Sequence, residues 1–281
     1  GEEGGLGAPK QLLREIPSSD AELSQDRNFV TALARGLELL RCFGPEDEML
    51  GNAELARRTG IPKPTVSRLT YTLTRLGYLR YVESLERYQL GPGVLALGYS
   101  YLAGSAVRSI ARPLMQSLAE ATDCQVALGS PDRLKMVYTE ACQGAGPMVL
   151  RLGIGSRVPM ATSAMGRAFL AAIPEAERKR YCDAIREQEP EHWPQIEEGL
   201  EQALEDYQKR GFCISEGEWD GGVSGVGVPL IMGDSGTAVA FNCGGSSLRL
   251  SRRVLEENLG PRLRELVRQV KEELSGTQRW R

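Results

Sequence analysis

The sequence predicts an α+β protein of two domains: an N-terminal winged helix-turn-helix, then a linker helix and a layer of helices on an antiparallel sheet. Three observations carry this reading. A length of 281 residues, 41 % apolar and 25 % charged, suits two ordinary hydrophobic cores. The stretch "GIPKPTVSRLTYTLTRLGYL" (60–79) has helical periodicity behind two prolines, and two short strand patterns follow it. From Ser105 onward, helix and strand patterns mix.

Residues 1–26 combine Gly, Pro, Ser and acidic residues without periodicity and read as a mobile arm. The winged helix-turn-helix is placed at 27–91. Its first helix spans about 29–43, with Leu33, Leu37, Leu40 and Phe43 on one face. Asn52 suits the N-cap of a short helix over 53–58, and Gly60 ends it.

The prolines then start the third helix. With Pro62 as its first residue, Pro62 and Pro64 both fall in the first turn, where N–H groups have no intrahelical acceptor to lose. Val66, Leu69, Leu73 and Leu76 share one face, while Ser67, Arg68, Tyr71 and Arg75 point away. Gly77 closes the helix, and "YLRYV" and "RYQL" pair around a turn at 83–86.

The overall charge of −3 argues against nucleic acid, but its distribution argues for it. Residues 49–82 hold Arg57, Arg58, Lys63, Arg68, Arg75 and Arg80 against Glu54 alone, a local charge of +5. Phosphate attraction acts over about 8 Å at physiological salt, so the local charge is what counts. A helix in the major groove reads bases near its N-terminus. Arg68 is therefore the candidate for a two-pronged contact to guanine, and Ser67 or Tyr71 for a base or phosphate contact. Lys63 and Thr65 are candidates for phosphate, Thr72 and Arg75 complete the outward face, and Arg80 and Arg87 of the hairpin lie along the flanking backbone or minor groove. The expected partner is double-stranded DNA.

Residues 92–104 form an apolar linker helix, either packed on the wing or joining two copies of the chain. The domain at 105–276 opens with a helix to Thr122, then a hairpin of "CQVAL" and "LKMVYTE". A third strand is expected at 148–152, a loop at 153–160, and helices at 162–172, 175–186 and 196–210. Strands "FCISEG", "VGVPLI" and "TAVAFNC" follow, then a helix over 251–274, with residues 277–281 as a tail. Such a layer can enclose a small pocket.

Catalytic signatures are missing. The single histidine, His192, sits in a polar stretch, and there is no GxSxG, GxxxxGK[ST] or HExxH. The glycine-rich "GGVSGVG" (221–227) runs into a strand, where a dinucleotide loop needs a helix, and reads as backbone that approaches something closely. Six well-separated cysteines suit a reducing cytoplasm and small buried apolar roles, with Cys213 or Cys243 the possible exceptions. No cofactor, metal or membrane span is expected.

"ALARGLELLRCF", "AELARRTGIPKPTVSRLTYTLTRLGYL", "RYQLGPGVLALG", "VPMATSAMGRAFLA" and "GFCISEGEWDGGVSGVGVPLI", in that order, resemble the IclR family of bacterial transcription regulators. The resemblance covers about residues 29–274. It implies a GAF-like effector-binding domain after the winged helix, assembly as a homodimer or dimer of dimers, and an effector that is a small organic or aromatic acid. It places the effector near Met160, Ala164 and Met165 at a helix entry and near Ser215 or Glu216, Gly225, Asn242 and Gly244 on the late strands. Family pockets often carry Asp, Cys and Ser where this chain has Ser-Glu, Gly, Asn and Gly. Fewer side chains suggest a larger site and a bulkier acid than glyoxylate. Arg151 or Arg157 are candidate counter-charges, and Glu218 and Trp219 either shape the pocket or belong to an exposed loop. "ALARGLELLRCF" and the "AFN" ending at Asn242 are similar to the branch that regulates aromatic-acid catabolism. Two alternatives stand beside this reading: an enzyme with an appended winged helix, and a dimeric DNA-binding regulator without ligand.

Overall fold

A computed structural model describes residues 20–146, 152–232 and 237–278. The described residues form two compact units, the first ending at Ser105 and the second starting at Ala106.

The first unit opens with a short helix, α1 (Asp20–Gln25), inside the stretch read as an arm; residues 1–19 lie outside the described residues. Helices α2 (Thr31–Arg41), α3 (Asn52–Thr59) and α4 (Lys63–Arg75) follow, then strands β1 (Leu79–Val82) and β2 (Arg87–Leu90). Leu39, Leu50, Leu55, Ile61 and Val66 make its core. Three details differ from expectation. On α2 the buried residues are Gly36 and Leu39, and Leu33 and Leu37 are exposed. Gly36 faces Leu69 of α4, where even a Cβ would stand at an ordinary 3.9 Å, so the Gly36–Leu39 side of α2 is the one turned to α4. On α4 Thr70 is buried and Leu76, the residue past the last turn, is exposed. Gly51, not Asn52, caps α3, because the Asn52 side chain is used across the domain.

Pro64 stands in the first turn of α4, while Pro62 is its N-cap, one residue before the helix and not its first residue as expected. Gly60 and Gly77 take the left-handed conformation (φ +71° and +84°) that frees the chain to turn at each helix end. Leu50 adds a bridge to Tyr88 beside the hairpin. Helix α5 (Pro92–Ala103) completes this unit, and none of its residues is buried.

The second unit starts with α6 (Ala106–Thr122), β3 (Gln125–Asp132) and β4 (Lys135–Gln143). The strand expected at 148–152 falls largely outside the described residues. Within the expected loop a short strand forms, β5 (Arg157–Pro159), which pairs with β4. Helices α7 (Ala164–Ala172), α8 (Glu175–Gln188) and α9 (Trp193–Arg210) follow, then β6 (Cys213–Glu216), β7 (Val223–Met232) and β8 (Thr237–Ser246). Helix α10 (Arg252–Val254) runs through π-helical Leu255–Leu259 into α11 (Gly260–Gln278), so the helix passes the expected end at 274 and residues 277–278 of the expected tail are helical.

The sheet is antiparallel in the order β5-β4-β3-β8-β7-β6. One face packs on α6 and α11 through Val107, Met115, Phe241, Leu263 and Val270. The other packs on α7, α8 and α9 through Met165, Phe169, Tyr181 and Leu200. Burying both faces requires apolar residues at successive strand positions, as in "CQVAL" and "VGVPLI". Among the described residues no helix is long and apolar enough to cross a membrane.

Candidate nucleic-acid interface and ligand cavity

Helix α4 is held from behind. Asn52 Nδ2 donates to Ser67 Oγ (3.4 Å), and Asn52 Oδ1 accepts from the buried Thr70 hydroxyl (3.1 Å). This side-chain brace sets α3 against α4 and turns the other side of α4 outward. Lys63, Arg68, Tyr71, Thr72 and Arg75 are exposed there, Thr65 is half-buried, and Ser67, though exposed, is the residue that Asn52 holds from the α3 side. The Thr72 hydroxyl donates to Arg68 O, so it is already used within the helix.

The six cations divide into two groups. Arg57 and Arg58 both bind Glu54, and Arg58 also clasps Asp47 with two hydrogen bonds of 2.9 Å. Hydrogen bonds from Arg57, then Arg58, hold the Glu54 carboxyl down at about 2, and Arg58 lowers that of Asp47. Lys63, Arg68 and Arg75 form no ion pair among the described residues. In the hairpin, Arg80 stands opposite Gln89 and Val82 opposite Arg87, so Arg80 and Arg87 share one face. Tyr81 and Tyr88 stack across the strands, their centroids 4.9 Å apart. The wing tip carries Glu83 and Glu86, so its cations lie on the strands.

In the second unit a cavity of about 50 Å³ opens between the start of α7 and the sheet. Ala164, Met165, Ser215, Gly225, Asn242 and Gly244, six of the residues that the resemblance points to, line it. Met160 and Glu216 do not. Met160 is buried in the core beside α7, and exposed Glu216 faces Arg252 at 3.7 Å. Ser163 caps α7, its hydroxyl accepting from Gly166 N (3.1 Å), while the first-turn N–H groups of Ala164 and Met165 have no intrahelical acceptor. The Ser215 hydroxyl donates to Thr162 O at 2.7 Å.

The glycines do not enlarge this site. A Cβ at Gly225 would lie 2.9 Å from Cys243 O, and one at Gly244 would lie 2.7 Å from Ser224 O. Backbone fills the volume that the missing side chains were expected to vacate. Gly227 is tighter still: a Cβ there would lie 2.1 Å from Ala164 O, so "GGVSGVG" is glycine-rich because α7 begins directly on β7.

Sequence reasoning missed Tyr138. It is buried in the cavity wall, which Asn242 shares, and burial pushes its hydroxyl up to about 12, with Asn242 pulling the other way. Trp219 lines this cavity and also a neighbouring one of about 320 Å³, where Lys135, Arg167, His192 and Glu218 stand. Of the two candidate counter-charges, Arg157 pairs with Asp132 (3.3 Å) and does not line the cavity, and Arg151 lies outside the described residues. Cys213 and Cys243 are buried free thiols away from the lining, and burial pushes Cys213 up to about 12. Cys124 lines the cavity instead.

An exposed, braced helix beside a two-stranded wing, followed by a cavity-bearing sheet, is the arrangement that the family comparisons match. Residues 32–83 match the IclR helix-turn-helix domain, and residues 99–272 match the bacterial transcriptional regulator IclR C-terminal domain. The chain belongs to the IclR family. It is 33 % identical to the HTH-type transcriptional regulator TsaQ1/TsaQ2 of Comamonas testosteroni, over 94 % of this chain and 95 % of that one. Its fold is similar to the crystal structure of an IclR family transcriptional regulator from Brucella abortus, 50 % identical, TM-score 0.84, covering 92 % and 97 % of the two chains. An IclR homologue from Microbacterium hydrocarbonoxydans, complexed with 4-hydroxybenzoate, shares the fold at 18 % identity, TM-score 0.68, covering 87 % and 99 %. This IclR chain is thus a DNA-binding transcriptional regulator, and the domain after its winged helix is a regulator domain and not that of an enzyme.

Proposed function

We propose that this IclR regulator binds its operator as a dimer or dimer of dimers, in the cytoplasm, and that a small carboxylic acid in the α7 cavity changes that binding. The outward face of α4 carries the DNA reading. Arg68 contacts a base, Lys63 and Thr65 contact phosphate near the helix N-terminus, and Arg80 and Arg87 follow the flanking strand. Helix α5 supports the dimer: Leu95, Leu97, Tyr99 and Tyr101 stand exposed on it, an apolar surface that a second copy would cover.

One observation carries the ligand reading. The cavity lining is about half polar, with Gln125, Tyr138, Ser215 and Asn242 beside one carboxylate, Asp123, and it sits at a helix start whose first-turn N–H groups lack an intrahelical acceptor and can hold an anion. A carboxylate there would take donors from the first turn of α7 and from Tyr138 and Asn242. A cavity that admits benzene measures roughly 150 Å³. An aromatic acid such as the 4-hydroxybenzoate of the Microbacterium homologue would therefore have to displace a wall, and Trp219 and Met165 are the large side chains available.

The test is binding to the DNA upstream of the chain's own gene, across salt, with and without aliphatic and aromatic acids. A specific complex that weakens steeply with salt and shifts with one acid supports the reading. A specific complex that no acid alters, with a melting temperature equally unmoved, favours the ligand-free dimer, which the small size of the cavity also suits.

A further inference from the structure

Strand β4 turns its side chains over part-way along its length. Leu128 of β3 stands opposite Glu140, but the next residue, Gly129, stands opposite Tyr138, so Thr139 is an extra residue, a β-bulge. In a regular strand Tyr138 and Glu140, two residues apart, would face the same side. Here Tyr138 faces the α7 side and lines the cavity, while Glu140 faces α6 on the opposite side of the sheet.

Glu140 is buried, and its partners come from α6. Arg108 Nε donates to Thr139 O, the carbonyl of the bulge itself, at 3.1 Å, and forms an ion pair with Glu140, its Nε lying 3.0 Å from Oε2. Arg112 Nη1 adds a longer contact at 3.5 Å, and the other carboxylate oxygen accepts from Ala141 N. Arg108 is the third residue of α6, and only Gly104 and Ser105 separate that helix from α5. One irregularity in one strand therefore joins a cavity wall on one face of the sheet to the helix start that continues from the linker.

We propose that the Thr139 bulge, gripped by Arg108 directly and through Glu140, is the relay by which the state of the Tyr138 cavity reaches α6 and the linker. Glu140 and Arg108 are positioning residues in this scheme and touch neither ligand nor DNA. The relay rests on reading the cavity as the effector site. It needs a bistable element, and a bulge is one, since its extra residue can shift only by changing which residues pair. A ligand that draws Tyr138 toward Asn242 or away from it pulls on Thr139, and Arg108 must follow or release.

The test uses the full chain and no ligand. Tyr138→Phe perturbs the cavity wall by one hydroxyl, and amide hydrogen exchange is followed along the chain. In the otherwise unchanged protein, Y138F should alter exchange over residues 92–112 by about threefold or more, as well as in β3 and β4. In the E140Q background the change at 92–112 should vanish while the change in the strands remains. Arg108→Lys, which keeps the charge but loses the two-point grip, should do the same and decides the matter if E140Q fails to fold. An effect at 92–112 that survives in R108K and E140Q, or that never appears with Y138F alone, overturns the relay. Calorimetry with the acid panel is scored separately: no binding by any acid beside an intact Y138F response overturns the effector reading and leaves the relay in place.

Discussion

Arg167 on α7 and Glu218 on the β6–β7 loop grip each other at two points, with Arg167 Nη2 donating to Glu218 Oε1 at 3.0 Å. The arginine is 2 % exposed and the glutamate side chain 38 % exposed, so a buried cation depends on a partner at the surface. Arg167 also donates from Nε to Ala161 O and from Nη1 to Ile214 O, both at 3.0 Å. Gly199 of α9 makes room for the pair: a Cβ there would lie 2.4 Å from Arg167 Nη2. Trp219, the next residue after Glu218, is thereby held as the wall between the two cavities.

Replacing Glu218 by Gln should therefore destabilise the second unit and loosen Trp219. Orphaning a fully buried charge costs about 3–5 kcal/mol. Because Glu218 is part-exposed and the glutamine amide oxygen still offers Arg167 an acceptor, about 1–3 kcal/mol is expected. Denaturant melts give the energy, and Trp219 emission in a W193F, W280F background should shift to the red. Unchanged emission would show that the loop holds Trp219 without the ion pair.

The two groups of cations in the winged helix should separate in a salt titration of DNA binding. Arg68→Ala should cost about 1–3 kcal/mol on the preferred sequence and relax preference at one base position. Lys63→Ala should weaken all sequences alike and reduce the slope of log K against log salt by about 0.9. Arg57→Ala should do less than either, because Arg57 is already committed to Glu54. Equal losses from all three would mean that the Glu54 cluster opens on binding.

Much of this was legible in the residues, and the failures have identifiable causes. Pro62, Pro64 and Gly60 are local signals, and they located the start of α4 to within one residue because nothing tertiary competes with them. Leu33 and Leu37 were assigned to the wrong face because α2 carries several overlapping apolar stripes, and the Gly36–Leu39 side is the one turned to α4. Asn52 looked like a cap because its commitment to Ser67 and Thr70 is visible only in three dimensions. In the cavity, the glycines marked the place, but Tyr138 depends on a register shift that no periodicity reveals.

Acid should weaken the winged helix through Glu54 and Asp47. Both carboxyls are held below their usual range, by hydrogen bonds from Arg57 and Arg58 for Glu54 and from Arg58 for Asp47. A depressed carboxyl adds stability that is complete above its unfolded value and lost as the pH falls through its folded one. For Glu54 that window runs from about 4.5 down to about 2. Stability of the first unit, followed by hydrogen exchange in α3 and α4, should fall across it. In Arg58→Met, which removes a partner from both carboxyls, the fall should be shallower and begin from a lower plateau. An identical pH profile in R58M would exclude these ion pairs as the cause.

The glycine-rich segment offers a contrast within one motif. Gly221 has open space where a Cβ would stand, whereas at Gly227 that atom would lie 2.1 Å from Ala164 O and 2.5 Å from Ala164 C. Backbone cannot rotate out of the way as a flexible side chain can, so Gly227→Ala must push α7 off β7. Overpacking of this kind costs about 1–3 kcal/mol, and here it displaces the first turn of α7, where Ala164 and Met165 line the cavity. Gly221→Ala should change stability by less than about 0.5 kcal/mol. G227A should lower the melting temperature and weaken binding of any acid that G221A still binds, without altering the salt slope of DNA binding, which belongs to α4. If G227A melted and bound acids like G221A, the start of α7 would not be seated on β7, and the anion-holding role given to its first turn would fall with it.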